Sequence, residues 1–357
     1  MQKTFIIAEA GVNHNGSLEL AYQLVNEAVK SGADAIKFQT FKTENLVTKN
    51  AKPSEYQEKN LGNPSTQFNM LKKLELSYED FRQLKRYCDE KGIIFLSTPF
   101  DLESVDFLIQ EIGLQLMKIP SGEITNAPYI YRISAQRVKV ILSTGMANIE
   151  EIHNALAFLS YGYAAKSGIS YEKAKDYYKT SEAKQLLRDN VSILHCTTEY
   201  PASFEEINLN AMNHIKREFQ LPFGLSDHSE GILVPIAAVA KGASIIEKHF
   251  TIDRTLPGPD HKASLEPNEL KEMIQSIRLI EKALGKSEKK PTKNELKNRD
   301  TARKSLIAAR EIKIGEKFTQ ENLSIKRPGT GISPHLYWNY LGQTAKKKYK
   351  EDEVIQE

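Results

Sequence analysis

Short apolar runs alternate with longer amphipathic segments over the first 285 residues of the chain. The runs are rich in Ile, Val, Leu and Phe, which predicts parallel strands buried on both faces. The segments between them carry apolar residues at helical spacing, and several end at a glycine, as helices commonly do. The predicted strands are Thr4–Ala8, Ala35–Phe38, Ile93–Leu96, Leu116–Ile119, Val138–Leu142, Val191–Leu194, Pro222–Leu225 and Ser244–Ile246. The predicted helices include Leu18–Ser31, Tyr78–Lys91, Leu102–Ile112, Ile149–Leu159 and Pro267–Leu284.

Eight strand–helix units in the first 285 residues predict an α/β fold, the (β/α)8 TIM barrel. A doubly wound parallel sheet is the alternative. The first strand is not followed by G-x-G-x-x-G, the usual dinucleotide-binding turn of that fold, and this weakens the alternative.

Two stretches interrupt the alternation of strands and helices. Residues 42–77 form a long polar connection after the second strand, which suggests a loop or lid over the barrel. Residues 160–190 lengthen the region of the fifth helix. Both are candidates for covering a substrate or contacting another subunit, although a solvated surface insertion is the simpler interpretation of 160–190.

The pattern changes after residue 285. Residues 286–300 read as a charged linker, and residues 301–357 show short strand-like pieces separated by turns, which predicts a small, mostly β domain. A core of this size is marginally stable alone, so we expect the domain to pack on another surface of its own chain or of a partner chain.

Composition and charge restrict the function classes. Residues 286–357 carry a net charge of +7 and residues 1–285 a net charge of −4. We interpret the basic excess as a solvated face, because no aromatic interleaving or nucleic-acid motif accompanies it, and we expect no nucleic-acid partner. The sequence has no apolar run long enough for a membrane span, no signal peptide and only two cysteines, which indicates a reducing, cytoplasmic setting.

Polar residues follow every predicted strand. In a TIM barrel the carboxyl ends of the strands meet at one rim, where the active sites of this fold lie. A single polar residue there would be an ordinary turn or helix cap, but eight strands sharing the feature predict an enzyme. The residues in question include Glu9, Lys37, Gln39, Thr98, Lys118, Ser121, Glu123, Ser143, Thr198, Tyr200, Ser226, His228 and His249.

Two lysines among hydroxyl side chains suggest an anion site. Lys37 and Lys118 lie in or beside buried strands, and buried lysines are rare without a partner of opposite charge. Together with neighbouring hydroxyls and the backbone N–H groups near Gly122 and Gly145, they would form a phosphate cradle. A Schiff-base lysine is the alternative.

Two histidines end adjacent strands. His228 and His249 could share one metal ion, and the oxygen-rich surroundings would favour Mn²⁺ or Mg²⁺ over a closed zinc site. Each could equally be a structural residue at a strand end. In the Pro/Gly-rich loop after the eighth strand, Asp260 is either a ligand for substrate hydroxyls or part of a plain turn.

The sequence also resembles a known family along nearly its whole length. The ordered segments resemble those of the sialic acid synthases, which include the N-acetylneuraminate synthases and the bacterial legionaminic acid synthases. The set is specific because the segments occur together and in order. They are AEAGVNHNGS (8–17), KFQTFK (37–42), FLSTPFD (95–101), KIPSGE (118–123), LSTGMA (142–147), HCTTEYP (195–201), GLSDHS (224–229), EKHFTID (247–253), PGPDH (257–261) and KRPGTG (326–331).

The resemblance implies a TIM barrel followed by an antifreeze-like (SAF) domain, in a domain-swapped homodimer. It implies condensation of phosphoenolpyruvate with open-chain N-acetylmannosamine, giving N-acetylneuraminate and phosphate. An N,N'-diacetyllegionaminate synthase that uses a 2,4-diacetamido sugar by the same mechanism is the alternative. A catalytically inactive, carbohydrate-binding barrel is a more distant one.

The resemblance also implies roles for individual residues. His228 and His249 would ligate the divalent metal, with Mn²⁺ expected and Mg²⁺ or Co²⁺ as alternatives. Glu9 would act at the reacting centre as a base or orienting group. Phosphoenolpyruvate would be held by Lys37, Thr98, Lys118, Ser121, Ser143 and Ser226, and more weakly by Thr198, where some members carry Asn. The sugar would be held by Gln39, Glu123, Tyr200, Asp260 and, from the partner subunit, Arg327.

Overall fold

Eight parallel strands form one sheet in the computed structural model, which describes residues 3–54, 57–58 and 66–356. The strands are β1 Phe5–Gly11, β2 Ala35–Thr40, β3 Ile94–Pro99, β4 Leu116–Ile119, β5 Lys139–Ser143, β6 Val191–Cys196, β7 Phe223–Asp227 and β8 Ile245–His249. They pair in the order β3-β2-β1-β8-β7-β6-β5-β4, and β3 lies beside β4, so the sheet closes into a barrel. The prediction of a TIM barrel is confirmed.

Helices connect the strands. Three of the predicted helices, Leu18–Ser31, Tyr78–Lys91 and Pro267–Leu284, have the bounds predicted from the sequence. Their ends carry strong local signals: at the start of Tyr78–Lys91, Ser77 and Asp80 form a reciprocal capping box, and Gly92 ends that helix with a positive φ. The α-helices of this unit are α1 Leu18–Ser31, α2 Thr43–Leu46, α3 Gln67–Leu74, α4 Tyr78–Lys91, α5 Leu102–Gln110, α6 Ala127–Ala135, α7 Ile149–Tyr163, α8 Tyr171–Tyr178, α9 Ser181–Asn190, α10 Phe204–Ile207, α11 Ala211–Phe219, α12 Leu233–Ala240 and α13 Pro267–Leu284.

An apolar plug fills the barrel interior. It consists of buried side chains from six strands: Ile7, Ala35, Leu96, Ile141, Leu194 and Ile245. Side chains of a strand alternate between its two faces, so the residue two positions further along points into the barrel as well. On β1, β2 and β3 those residues are Glu9, Lys37 and Thr98. The plug therefore forms an apolar floor, with charged and hydroxyl groups above it at the carboxyl ends of the strands.

The two predicted interruptions have different structures. Residues 42–77 contain the short helix α2 and the helix α3, while residues 55–56 and 59–65 lie outside the described residues. Residues 160–190 contain the end of α7 and the helices α8 and α9, which bury a small apolar cluster that includes Tyr161, Ala174 and Tyr177.

The chain divides into two compact units, Met1–Gly285 and Lys286–Glu357. The second unit contains α14 Lys293–Ala302, the antiparallel pair β9 Ser305–Ala308 and β10 Leu323–Lys326, and α15 Tyr337–Tyr340. Its core includes Leu306, Ile312 and Phe318. The predicted linker therefore differs from the structure, since part of 286–300 is helical and begins with a capping box between Thr292 and Glu295. None of the described helices is long and apolar enough to cross a membrane.

Candidate active site

A cavity of about 290 Å³ lies at the carboxyl ends of the barrel strands. Most of the residues predicted from the strand ends line it: Glu9, Lys37, Gln39, Thr98, Lys118, Ser121, Ser143, Thr198, Tyr200, Ser226, His228, His249 and Asp260. Two predicted sugar ligands are absent from the cavity lining. The Glu123 carboxylate accepts a hydrogen bond from Asn126 Nδ2 (2.6 Å), and Arg327 is an exposed residue of the second unit.

Lys37 is buried, lines the cavity and contacts three polar side chains. Its Nζ atom donates a hydrogen bond to Thr98 Oγ1 (2.9 Å) and forms an ion pair with Glu9 Oε2 (2.8 Å). The three side chains come from β1, β2 and β3, and the strand register places Glu9 beside Lys37 and Gln39 beside Thr98. Parallel pairing of these three neighbouring strands therefore brings together residues that lie far apart in the sequence.

Glu247 connects the two lysines, and sequence reasoning did not assign it a role. Its Oε1 atom accepts hydrogen bonds from Lys118 Nζ (2.9 Å) and Ser226 Oγ (2.8 Å), and its Oε2 atom lies 3.8 Å from Lys37 Nζ. The strand alternation would have identified this residue, because it lies two positions after the plug residue Ile245 and two before His249. Lys37, Lys118, Glu9 and Glu247 thus form an inner charge cluster.

The two carboxyl groups of the inner charge cluster have opposite pKa shifts. Burial raises the pKa of Glu9 to about 7, with Lys37 opposing the shift and the nearby Glu247 reinforcing it. Burial acts in the same direction on Glu247, but Lys118 and Lys37 outweigh it and lower its pKa. Glu247 is therefore a permanent anion at neutral pH, whereas Glu9 can exchange a proton there.

Hydroxyl groups border the cluster on the side of β5 and β6. Ser121 Oγ accepts a hydrogen bond from the Gly145 N–H (2.9 Å), while Ser143 Oγ and Thr198 Oγ1 have no hydrogen-bond partner in the described part of the chain. Gly145 has no room for a side chain, since a Cβ atom there would lie 2.1 Å from Thr198 Oγ1. Buried hydroxyls without partners are costly, which indicates that these groups serve a ligand.

His228 and His249 face each other with ring centroids 5.4 Å apart. His228 Nδ1 donates a hydrogen bond to the Thr197 carbonyl (2.6 Å), and Tyr200 stacks on the ring at 4.1 Å. Burial lowers the pKa of His228, but Cys196 and the Thr197 carbonyl outweigh burial and raise that pKa above its usual value. Burial and the neighbouring His228 hold the pKa of His249 well below its usual value, so this imidazole is neutral. Its buried Nδ1 atom has no hydrogen-bond partner among the described residues.

These two imidazoles fit an open metal site. Neutral imidazoles, such as that of His249, are common ligands of divalent metals. A hydrogen bond from the other ring nitrogen to a carbonyl, such as that from His228 to Thr197, is typical of histidine ligands. No group of three or more His, Cys, Asp or Glu side chains in the described residues could hold a metal. A metal bound here would therefore take its remaining ligands from water or substrate. Cys196, another cavity residue that was not predicted, lies with Sγ 3.8 Å from His228 Nδ1.

The rest of the cavity lining is different in character. Asp260 is buried, and burial raises its pKa to about 6, while His228 opposes the shift. An apolar wall, defined here as Val12, Leu46, Val47, Met70, Leu71, Leu74 and Phe100, lines the cavity as well. Most of this wall comes from the stretch between β2 and β3, and Val12, Met70 and Leu74 also share a small buried cluster with Phe41. The cavity thus has a charged side and an apolar side.

Comparison with known proteins agrees with this geometry. A family model described as the NeuB family matches residues 24–289, and one described as the SAF domain matches residues 303–357. The chain belongs to the NeuB family. The expected membership of the sialic acid synthase family and the expected SAF domain are thereby confirmed.

Relatives in the NeuB family match the chain over most of its length. The N,N'-diacetyllegionaminic acid synthase of Campylobacter jejuni is 51% identical over 100% of both chains. The protein of the same name from Legionella pneumophila is 48% identical over 95% of this chain and 89% of its own. A solved structure of N-acetylneuraminic acid (sialic acid) synthetase from Leptospira borgpetersenii, in complex with citrate, is 34% identical, covers 83% of this chain and 90% of its own, and has a TM-score of 0.68.

Proposed function

We propose that this NeuB-family chain condenses phosphoenolpyruvate with an open-chain 2,4-diacetamido-6-deoxy sugar, giving N,N'-diacetyllegionaminate and phosphate. The observation that carries the proposal is the identity of 51% and 48% to two proteins named N,N'-diacetyllegionaminic acid synthase. The sialic acid synthetase is 34% identical. The comparisons therefore support the alternative substrate better than N-acetylmannosamine, the substrate expected first.

The charged side of the cavity suits phosphoenolpyruvate. Its phosphate and carboxylate would be held by Lys37 and Lys118, with Thr98, Ser121, Ser143, Thr198 and Ser226 as hydroxyl partners. Glu247 would keep both ammonium groups in place, through its hydrogen bond to Lys118 and its ion pair with Lys37. Fixed cations around a leaving phosphate stabilise the charge that develops as its C–O bond breaks.

The two histidines would hold a divalent metal, with Mn²⁺ expected. When bound, such an ion supplies Lewis-acid polarisation of the sugar aldehyde oxygen. The chain itself presents the imidazoles of His228 and His249 beside the proposed phosphoenolpyruvate site. The imidazole of His249 is neutral. Gln39, Tyr200 and Asp260 line the same cavity and would orient the sugar.

Glu9 is suited to proton transfer in this reaction. Carbon 3 of phosphoenolpyruvate bonds to the aldehyde carbon, water adds to carbon 2, and phosphate leaves with cleavage of its C–O bond. The adding water must lose a proton, and a carboxylate with a pKa of about 7 can accept one at neutral pH. Close positioning of the two substrates should supply much of the rate.

Phosphate release tests the proposal. The protein would be assayed with phosphoenolpyruvate and Mn²⁺, comparing the 2,4-diacetamido-6-deoxy sugar with N-acetylmannosamine. We expect turnover mainly with the diacetamido sugar. Preferential turnover of N-acetylmannosamine would instead make the protein an N-acetylneuraminate synthase, and release with neither sugar would return us to a carbohydrate-binding barrel.

A second part of the proposal concerns the homodimer and Arg327. In the proposed domain-swapped dimer, Arg327 of the partner subunit would contact the N-acetyl group of the sugar. The substitution Arg327→Ala should then raise the KM for the sugar about tenfold, in line with the loss of a charged hydrogen bond, and leave the KM for phosphoenolpyruvate nearly unchanged. Equal effects on both KM values would contradict this role.

A further inference from the structure

The turn that follows β1 belongs to the motif AEAGVNHNGS, and none of the side chains in this turn lines the cavity. We define residues 13–16, Asn-His-Asn-Gly, as the β1 turn. Asn13 and His14 are almost completely buried, at 1% exposure each. Buried polar side chains are costly unless they form hydrogen bonds, which Asn13 does through Nδ2 and His14 through Nδ1, while Asn13 Oδ1 and His14 Nε2 have no partner among the described residues.

Asn13 is bonded to the segment that carries Asp260. Its Nδ2 atom donates hydrogen bonds to the Phe250 carbonyl (2.8 Å) and to Ser264 Oγ (2.9 Å). Ser264 Oγ in turn donates to the Asp260 carbonyl (2.7 Å). The Asn13 side-chain amide therefore binds both ends of the loop, Phe250 just after β8 and Ser264 beyond Asp260. Asn13 itself does not line the cavity.

A second chain of hydrogen bonds runs in parallel through His261. Its Nδ1 atom shares a hydrogen bond with Thr251 Oγ1 (2.7 Å), and its Nε2 atom shares one with Asn15 Oδ1 (3.2 Å). Both Thr251 and His261 are fully buried. Gly258 allows this arrangement, since a Cβ atom there would lie 2.5 Å from the His261 ring and 3.0 Å from Asn15 Oδ1.

The opposite side of the β1 turn contacts the helix that carries the apolar wall. A Cβ atom on Gly16 would lie 2.4 Å from the Lys73 carbonyl oxygen of α3, so the backbone of the turn packs directly on that helix. Gly16 also has a φ of +74°, and its N–H donates to His14 Nδ1 (3.1 Å). Only glycine satisfies both the close approach and the dihedral angle without strain.

We propose that Asn13, Asn15 and Gly16 are positioning residues that hold two parts of the cavity lining in place: α3 and the Asp260 loop (residues 250–264). The assignment of Asp260 to sugar binding rests on the proposed function. The loop contributes Asp260 and α3 contributes Met70, Leu71 and Leu74 to the lining. The β1 turn contacts both segments and contributes no side chain of its own, so it determines their separation.

Hydrogen exchange and kinetics together test the proposal. Thr251→Val removes the hydroxyl with little change of shape, Thr251→Ser retains it, and Asn13→Ala removes the amide. Amide exchange in residues 260–265 should rise about tenfold in Thr251→Val and Asn13→Ala, since each loses hydrogen bonds that hold the loop, and stay near the wild-type rate in Thr251→Ser. The same two variants should raise the KM for the sugar about five- to tenfold, with little change in the KM for phosphoenolpyruvate.

The control is Tyr163→Phe, which removes a buried hydrogen bond to the Val138 carbonyl (2.8 Å), just before the start of β5 and thus at the other end of the barrel. It should lower the melting temperature without changing exchange in residues 260–265. If that exchange stays within about twofold of wild type in both Thr251→Val and Asn13→Ala, the positioning role is wrong. Failure of the wild-type protein to turn over either sugar would contradict the proposed function instead, and exchange alone would then decide the positioning role.

Discussion

Consecutive residues of β8 belong to two different charged groups. Glu247 points into the barrel and contacts Lys118 and Lys37, whereas Lys248 points outward and forms an ion pair with Asp227 (2.6 Å). All five residues are buried. The inner charge cluster borders the cavity, and the outer ion pair does not.

The two groups differ in how completely they satisfy their polar atoms. The Asp227 carboxylate accepts further hydrogen bonds from the Ser229 N–H and hydroxyl, and the Lys248 ammonium donates to the Ser229 carbonyl. Beside the inner charge cluster, Ser143 Oγ and His249 Nδ1 have no hydrogen-bond partner in the described ranges. A satisfied buried pair serves the fold, and polar atoms left over at a cavity indicate where a ligand belongs.

The largest effect on activity is expected at His249, the next residue of β8 after Glu247 that points into the barrel. His249→Ala removes a proposed metal ligand, so turnover should fall about 10³-fold or more, because polarisation by a metal is worth several kcal/mol. The assay is phosphate release in the presence of Mn²⁺. The matched control is His195→Ala, since His195 Nε2 donates to the Ile207 carbonyl (2.6 Å) and does not line the cavity. Near-normal turnover of His249→Ala in this assay would contradict the metal site.

Glu247→Gln tests the inner charge cluster directly. Loss of the anion leaves Lys118 and Lys37 without their shared partner, so kcat/KM for phosphoenolpyruvate should fall about 10²-fold. Thermal unfolding should change less than in the outer-pair variant below, since the lysines can be hydrated from the cavity. Glu281→Gln is the control, because Glu281 pairs with Arg278 and accepts from the Thr4 N–H before β1. Equal losses of activity in the two variants would refute the role of Glu247.

Lys248→Met should have the opposite effects: a large loss of stability and a smaller loss of activity than Glu247→Gln. Breaking the outer ion pair leaves Asp227 buried without a counter-ion, which should cost about 3–5 kcal/mol in the free energy of unfolding. Urea denaturation measures this cost. Adding Asp227→Asn to Lys248→Met removes the unpaired charge and should recover part of the loss. A cost below about 1 kcal/mol would mean that the pair contributes little to the fold.

The smallest effect is expected at Gly145. Gly145→Ala places a methyl group 2.1 Å from Thr198 Oγ1 and 2.8 Å from Ser121 Oγ, so both hydroxyls must move. The KM for phosphoenolpyruvate should rise about tenfold, since each displaced hydroxyl loses a hydrogen bond to substrate. Gly122→Ala is the comparison within the same cavity lining, because a Cβ atom there meets no protein atom within 4 Å. Its KM for phosphoenolpyruvate should rise less, since no hydroxyl has to move. A similar rise in both variants would argue against a specific arrangement of these hydroxyls.

Local patterns in the sequence were sufficient to predict the barrel. Buried parallel strands are apolar on both faces, and helices such as Tyr78–Lys91 carry explicit caps at both ends. Strand ends were predicted too early: β3 continues to Pro99 and β8 to His249, beyond the predicted Leu96 and Ile246. The hydrogen bonds between neighbouring strands continue beyond the apolar runs. The last inward-facing residues of these strands are polar because they face the cavity and not the apolar core.

The cavity was harder to predict than the fold. The strand-end rule predicts most of the lining, but it assigns no role to Glu247, because this residue lies inside β8 between the apolar run and His249. The apolar wall was missed for a different reason. Met70 and Leu74 have ordinary helical spacing, and periodicity shows that a helix buries one face without showing whether core or cavity covers it.

The place of the apolar wall in the chain suggests how the substrate specificity of this family could change. The charges that would handle phosphoenolpyruvate are carried by barrel strands, where every neighbour constrains them, whereas Leu46, Met70, Leu71 and Leu74 lie in a connecting segment. If the proposed function holds, substitutions in α3 would change which sugar fits the cavity and leave the charged residues of the strands in place. The connection between β2 and β3 would then be the first place to mutate for a different sugar specificity.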